Sequence, residues 1–309
     1  MNIAIIDYPD VLKSAVYGLR EMFLLTNRLC VEYQLPVKID IDIICLTADM
    51  TVIPTSDKAY AAIFLPPSME SDFYLDSCEV LTNWLTTRHA EGSMLCSACA
   101  GAFLIAPTGL LDGRKATTHW RLVNTLCELY PNIKLDPDKI IVNDGDIITA
   151  GGMMSWLDLG LELVEQLTSP YIMRQLGKLL VVDTGAREQR YYQQFLPSFT
   201  HGDNVILGTQ KILQVDYCKP VKVSELAKVS YLTERTFLRR FVKSTGMRPR
   251  EYIQRLRIQK ACDSLENTQY TFERIAHDVG YEDTNACRKI FVRIMGLTPR
   301  EFKKRFVGS

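Results

Sequence analysis

The chain has 309 residues, enough for about two domains of roughly 100–200 residues each, and its 47% hydrophobic content excludes a largely disordered protein. No apolar run approaches the roughly 18 residues of a membrane helix and the start lacks a signal peptide, so we expect a cytoplasmic protein without membrane contact. The net charge is zero, but residues 205–309 carry 21 Lys and Arg against 11 Asp and Glu, and residues 1–204 carry 15 against 25, a pattern typical of nucleic-acid binding by one part of a chain.

Short apolar runs alternate with amphipathic stretches in the first part of the chain. This alternation predicts a parallel sheet with helices on both faces. Asn143-Asp144-Gly145 separates two of the short runs, which is typical of a β-hairpin. We predict strands at 3–7, 39–45, 61–65, 93–99, 139–142 and 146–149, and helices at 11–23, 77–87, 155–168 and 170–182.

Cys99 lies where a predicted strand gives way to a helix, with small residues on both sides. Such a strand–turn–helix elbow presents a nucleophile, and a helix N-terminus lowers the pKa of a thiol placed there. His119 could pair with this thiol. The strong alternative is that Cys99 is an ordinary buried cysteine and His119 a core histidine with its hydrogen bonds satisfied. A zinc site at Cys96 and Cys99 would need two more ligands, which the sequence lacks, so we predict no metal and no cofactor.

The periodic pattern breaks around residues 187–204, a polar and aromatic stretch, and every later segment has a helical period. We therefore predict a first domain at 1–190, a linker at 191–204 and an all-α domain at 205–309. The last part also repeats itself: Pro249-Arg250-Glu251-Tyr252 recurs as Pro299-Arg300-Glu301-Phe302. Two copies are too few for a solenoid, so a tandem pair of small helical units is the better interpretation.

Each unit has the pattern of a helix-turn-helix, in which a second helix enters the DNA major groove. In the first unit Thr233 is a plausible N-cap, Phe237 and Phe241 share a buried face, and a basic stripe lies on another face. Arginine and asparagine side chains at the start of such helices can bind base edges. We predict that DNA is bound by Arg235, Thr236, Arg239 and Lys243 in the first unit, and by Thr284, Asn285, Arg288 and Lys289 in the second.

The tail resembles the AraC/XylS family of transcription regulators over about residues 205–309. The resemblance rests on Ile275-Ala276, Gly280-Tyr281, Phe291, Gly296-Leu297-Thr298-Pro299 and Phe302. Cys287 stands where the family usually has an aromatic residue. The resemblance implies a regulator that binds double-stranded DNA, usually as an activator, and often pairs as a homodimer.

The first half resembles the PfpI-like superfamily, which is related to class I glutamine amidotransferases. It is most similar to the GlxA-type subgroup, in which such a domain precedes an AraC-type tail. The resemblance implies a flavodoxin-like α/β sandwich, with Cys99 at the elbow and His119 at the nearby histidine. It rests on Gly101-Ala102-Phe103, the segments 109–114 and 117–120, Ala150-Gly151-Gly152, and the segment 158–161.

Two departures from the superfamily argue against catalysis. The stretch 13–18 lacks the carboxylate that usually contacts the elbow cysteine, and Pro66-Pro67-Ser68 replaces a Pro-Gly-Gly loop whose N–H groups stabilise an oxyanion. We predict a DNA-binding transcription regulator, not an enzyme, controlled by a small-molecule effector or partner. The alternative is a cysteine-dependent amidase or hydrolase with an appended DNA-binding domain. Candidate ligand-binding residues are Ser68, Cys99, Ala100, Gly101 and His119.

Overall fold

A computed structural model describes residues 1–46, 58–69, 72–76, 78–185 and 187–307. The chain divides into two compact units, Met1–Gln189 and Arg190–Ser309. Among the described residues no helix is both long enough and apolar enough to cross a membrane. Ser77, the first residue of a predicted helix, lies outside the described residues.

The first unit contains a six-stranded sheet in the order β2-β1-β3-β4-β8-β7. Every pairing in it is parallel except that of β7 with β8, which confirms both the parallel sheet and the hairpin predicted at Asn143-Asp144-Gly145. Two short strands, β5 and β6, pair separately. The strands are β1 Asn2–Asp7, β2 Asp40–Cys45, β3 Tyr60–Leu65, β4 Met94–Ala98, β5 Lys115–Ala116, β6 Lys134–Leu135, β7 Ile141–Asn143 and β8 Ile147–Ala150.

The central strands are buried along nearly their whole length, as expected when helices cover both faces of a parallel sheet. The predicted flavodoxin-like α/β sandwich is thereby confirmed. One predicted helix, 11–23, has different bounds: it begins at Lys13, because Val11 bridges to Ser68, and it continues to Glu32. The helices of this unit are α1 Lys13–Glu32, α2 Glu79–Ala90, α3 Ala102–Ile105, α4 Val123–Leu129, α5 Trp156–Leu167 and α6 Pro170–Leu180.

The second unit is helical and contains the predicted tandem pair. Helices α8 and α9 form the first helix-turn-helix unit, α11 and α12 form the second, and α10 joins them. Each unit has its own buried core, one centred on Phe237 and Phe241 and the other on Phe291 and Phe302. The helices are α7 Asn204–Asp216, α8 Val223–Val229, α9 Glu234–Thr245, α10 Pro249–Asn267, α11 Phe272–Asp278, α12 Thr284–Met295 and α13 Pro299–Phe306.

Residues 191–204, predicted as a linker, lie within the second unit. The ring of Phe195 packs edge-on against Tyr252 with centroids 5.0 Å apart, and the Phe195 N–H donates to Gln259 Oε1 over 2.9 Å. This stretch therefore has tertiary contacts of its own. The domain bounds proposed from the sequence stay a prediction.

Candidate functional sites: the cysteine elbow and the DNA interface

Cys99 follows β4 directly and has a left-handed backbone, with φ of +55°. A non-glycine residue seldom adopts this region, and such strain is a feature of nucleophile elbows. The turn also needs glycine at 101, because a Cβ there would lie 2.1 Å from the Leu65 carbonyl oxygen. The elbow geometry inferred from the small flanking residues is thus present in the structure.

The Cys99 thiol is buried, and burial raises its pKa to about 12, although the Ala100 backbone N–H lowers it in part. The sequence-based expectation of a lowered pKa is therefore wrong. The physical reason is burial: desolvation of the thiol outweighs the stabilisation that the Ala100 N–H gives to the thiolate.

Tyr8 is a neighbour of Cys99 that sequence reasoning missed. Its hydroxyl donates to the Pro66 carbonyl oxygen over 2.5 Å, and its side chain is almost fully buried. Burial raises the Tyr8 pKa well above its ordinary value, and the nearby Cys99 raises it further. The available signal was its position just beyond the carboxyl end of a predicted parallel strand, where sites of α/β proteins form.

The loop after β3 presents carbonyl groups that are already engaged. The Pro66 oxygen accepts from Tyr8, and the Pro67 oxygen accepts from the Leu12 N–H over 2.7 Å. Ser68 is buried, and its hydroxyl donates to the Asp10 carbonyl over 3.3 Å. The two prolines have no N–H to offer. Pro66 and Pro67 therefore supply no N–H pair of the kind that stabilises an oxyanion.

His119 and Cys99 are not joined by a hydrogen bond in the described part of the chain. His119 Nδ1 instead accepts from the Arg121 N–H over 3.1 Å, and its ring stacks on Trp120 with centroids 5.5 Å apart. Burial, and then Arg121, lowers the pKa of the imidazole, which favours its neutral form. The contact with the elbow comes from Thr118, whose hydroxyl donates to the Cys99 carbonyl over 2.7 Å.

Helix α9 separates a buried face from a basic one. Thr233 caps it by accepting the Thr236 N–H over 3.3 Å, as predicted, and Phe237 and Phe241 are fully buried. The predicted DNA-binding residues Arg235, Arg239 and Lys243 are exposed, and Thr236 is half-buried. Among the described residues these three cations have no ion-pair partner, so their charges remain available to a phosphate or a base.

Helix α12 differs from α9, because side chains on its outer face are already bonded to other residues. Asp283 caps it by accepting the Asn285 N–H over 2.8 Å. Arg288 donates to Asn285 Oδ1 over 3.2 Å and lies 3.6 Å from a carboxylate oxygen of Glu273. Lys289 and Asn285 are exposed, and Thr284 is half-buried. Two of the four predicted DNA-binding residues here are therefore already bonded to each other.

The cysteines form no disulfide, since all nine are free thiols. Cys287, which stands where the resembled family has an aromatic residue, is fully buried in the second core. Within the described ranges no three His, Cys, Asp or Glu side chains are grouped as metal ligands.

Two family models match the chain in separate regions. The DJ-1/PfpI family matches residues 27–166, and a helix-turn-helix domain matches residues 226–305. The chain is similar to the HTH-type transcriptional regulator CdhR of Pseudomonas aeruginosa, with 27% identity over 74% of this chain and 65% of that protein. It is also similar to the HTH-type transcriptional regulator GlxA of Rhizobium meliloti, with 22% identity over 67% of this chain and 64% of that protein.

A third relative has an enzyme's name. Isonitrile hydratase of Pseudomonas putida is 31% identical over 33% of this chain and 40% of that protein. The chain spans about 59–65% of the length of the first curated relatives that it matches. The match in each region agrees with the fold observed there and with the resemblance inferred from the sequence. The chain thus has a region that matches the DJ-1/PfpI family followed by a region that matches a helix-turn-helix domain, which is consistent with a GlxA-type regulator of the AraC family.

Proposed function

We propose that the chain is a cytoplasmic, sequence-specific transcription regulator that binds double-stranded DNA through its second unit. The observation that carries this proposal is the basic outer face of α9, where Arg235, Arg239 and Lys243 are exposed over a fully packed aromatic core. The excess of Lys and Arg in residues 205–309 supports it. So does the similarity to proteins named HTH-type transcriptional regulators.

The proposed base-reading and phosphate-binding residues lie on the second helix of each unit. A helix that enters the major groove contacts base edges mainly near its N-terminus, and long cations further along contact phosphates. The proposed set is Arg235, Thr236, Arg239 and Lys243 on α9, and Thr284, Asn285, Arg288 and Lys289 on α12.

Selection from a random duplex library with the full chain tests this proposal. We expect one recurring sequence to be enriched, because base contacts discriminate while phosphate contacts do not. The matched control is Arg174→Ala, an exposed-helix substitution in the first unit that should recover the same sequence. If the wild type enriches no sequence above the input library, sequence-specific DNA binding is disproved.

We propose that residues 1–190 form a domain that senses a small-molecule effector or partner, and that residues 191–204 connect it to the domain at 205–309. We also propose that the chain forms a homodimer and that it activates transcription. The elbow residues Cys99, Ala100 and Gly101, with His119 and Ser68, are the proposed ligand contacts. Ser68 is the weakest member, because its hydroxyl is bonded to Asp10. A thermal-shift screen against metabolites tests the sensor, since a ligand at 100 times its Kd should add about 2.7 kcal/mol of stability. Light scattering at micromolar concentration tests the dimer.

We propose that the first domain does not catalyse a reaction. A hydrolase needs an activated nucleophile, a base and an oxyanion site together. Here burial raises the pKa of the Cys99 thiol, His119 Nδ1 accepts from the Arg121 N–H, and the Pro66 carbonyl oxygen accepts from Tyr8. Assays with simple amides, esters and an alkyl isonitrile test the proposal. Turnover by the wild type that is lost in Cys99→Ala would establish the cysteine-enzyme alternative instead.

A further inference from the structure

Arg257 of α10 binds three backbone carbonyl groups at once. Its Nε donates to the Tyr217 oxygen over 2.7 Å, Nη1 donates to the Gly280 oxygen over 2.8 Å, and Nη2 donates to the Lys219 oxygen over 2.8 Å. Its guanidinium also lies 5.3 Å from the centre of the Tyr281 ring. Only arginine has a planar fork of donors that can serve three fixed acceptors, so lysine cannot reproduce this set.

These acceptors belong to two different parts of the second unit. Tyr217 and Lys219 follow α7 directly, whereas Gly280 is the turn residue between α11 and α12. The two segments are in close contact at this point: a Cβ on Gly280 would lie 2.2 Å from the Cys218 carbonyl oxygen. Gly280 also has φ of +89°, which favours glycine for a second reason. Arg257 therefore connects the turn of the second helix-turn-helix unit to the end of α7 through hydrogen bonds.

The N-terminal part of α7 is hydrogen-bonded to the first helix-turn-helix unit. Asp203, the N-cap of α7, accepts two hydrogen bonds from the Arg240 guanidinium of α9, over 2.8 and 2.6 Å. Thr209 of α7 is hydrogen-bonded to Ser230, in the turn between α8 and α9, over 3.0 Å. Helix α7 thus contacts both units, and Arg257 makes its connection with the second.

We propose that Arg257 is a positioning residue that sets the placement of the second recognition helix relative to the first, and thereby the spacing between the two DNA subsites that one chain accepts. This inference rests on the proposed DNA binding through both units. Two recognition helices held rigidly can enter successive major-groove faces, about 34 Å apart, at one spacing only. Each added base pair shifts a subsite by about 3.4 Å and turns it around the duplex axis, which a rigid pair cannot follow.

The test measures affinity as a function of subsite spacing. The full-length chain and a duplex selected by the wild type from a random library are used, and one or two base pairs are inserted or deleted between the subsites. For the wild type we expect affinity to fall at least about tenfold for a change of one base pair. For Arg257→Lys we expect a fall of less than about threefold, because the charge remains while two of the three carbonyl contacts are lost. Arg257→Gln should reduce the dependence of affinity on spacing further. If Arg257→Gln does not fold, the comparison of Arg257→Lys with the wild type is the test.

The matched control is Arg255→Gln, which removes an arginine charge from the same helix and, among the described residues, breaks its ion pair with Glu251. It should keep the steep wild-type profile. A wild type that selects no sequence would disprove sequence-specific DNA binding and this inference with it. A wild type that binds equally well at every spacing would disprove the inference alone. So would an Arg257→Lys variant that binds more weakly at all spacings with an unchanged profile, since that result is expected of a merely structural residue.

Discussion

Cys99 combines a strained backbone with an unreactive side chain. Its φ of +55° is the conformation that presents a nucleophile, yet burial raises its pKa to about 12. Because a thiol reacts as its thiolate, this raised pKa disfavours the reactive form of Cys99. The backbone therefore has the elbow geometry that the resemblance to the PfpI-like superfamily implies, while burial suppresses the ionised form of the side chain.

Thiol labelling tests this suppression directly. With iodoacetamide at pH 8, we expect Cys99 to be modified at least about tenfold more slowly than the exposed Cys218, because Cys99 is both buried and protonated. Peptide mass spectrometry resolves the two sites in one sample. Labelling of Cys99 at the rate of Cys218 in the folded chain would show that the thiol is accessible and ionisable.

Two residues of α9 give opposite predictions because they lie on opposite faces. Arg239→Ala removes an exposed cation and should reduce discrimination between DNA sequences by about 1–3 kcal/mol without loss of helix content. Phe241→Ala removes a fully buried ring and should destabilise the second unit by about 3–5 kcal/mol. Selection of DNA sequences measures the first effect, and thermal melting followed by far-ultraviolet circular dichroism measures the second.

Tryptophan fluorescence supplies the control for this pair. All three tryptophans, Trp84, Trp120 and Trp156, lie in the first unit. Their unfolding transition should be unchanged in either variant. An Arg239→Ala chain that loses helix content and retains its sequence discrimination would contradict the face assignment.

At the level of elements, the β7–β8 hairpin is held to the rest of the first unit by a charged cluster. Asp146 pairs with Arg114, and it pairs with His89 of α2 over 2.6 Å. The bond from Arg114 lowers the Asp146 pKa to about 2, and the bond from His89 contributes less. Because its pKa is depressed in the folded chain, Asp146 stabilises the fold above its ordinary pKa of 3.8, and this contribution is lost as the pH falls toward 2.

The corresponding experiment compares the wild type with Asp146→Asn in urea, followed by tryptophan fluorescence. At pH 7 the variant should have the lower free energy of unfolding, by less than about 1 kcal/mol, because the Asp146 side chain is 52% exposed and solvent screens the pair. The difference should shrink steadily between pH 4 and pH 2. A difference that stays constant over this range would show that charge pairing at Asp146 does not stabilise the hairpin.

The sequence predicts elements well where pattern and turn chemistry coincide. The strands of the sheet, the Asn143-Asp144-Gly145 hairpin and the Thr233 cap follow from local residues. The end of α1 does not, because its apolar spacing continues beyond Phe23 through the buried Leu29 and Cys30 without a Gly or Pro to stop it. The predicted helix after Cys99 is a short stretch in which only Ala102–Ile105 is α-helical, with 3-10 turns on both sides.

The contacts of the sites could not be predicted from local sequence. Tyr8 and Cys99 are neighbours only because two parallel strands end at the same edge of the sheet. The sequence predicts that His119 pairs with Cys99, but the hydrogen bond to the elbow comes from Thr118, one residue earlier. A buried thiol's pKa depends on desolvation, which is a property of the packed structure and not of the residue order.

At the level of the whole molecule, opposite charges occupy the two parts of the chain. Residues 205–309 hold 21 basic and 11 acidic residues, and the rest of the chain holds 15 and 25. The zero net charge therefore hides a local excess of ten positive charges in the proposed DNA-binding part. A cationic surface of this kind displaces counterions from duplex DNA, so its affinity should depend strongly on salt.

The salt dependence also separates the residues that contact phosphates from those that do not. For the full chain on its selected duplex, we expect the logarithm of affinity to fall linearly with the logarithm of salt concentration between about 50 and 200 mM. Lys243→Gln should reduce the magnitude of that slope by about one, because an exposed cation on α9 that contacts a phosphate releases about one counterion. The control is Lys178→Gln, which removes the same charge from α6 in the acidic part of the chain. It should leave the slope unchanged, because the slope depends on cations that contact phosphates and not on the net charge of the chain. Equal slopes for the wild type and Lys243→Gln would remove Lys243 from the interface, and a flat dependence for the wild type would contradict phosphate binding by the basic unit altogether.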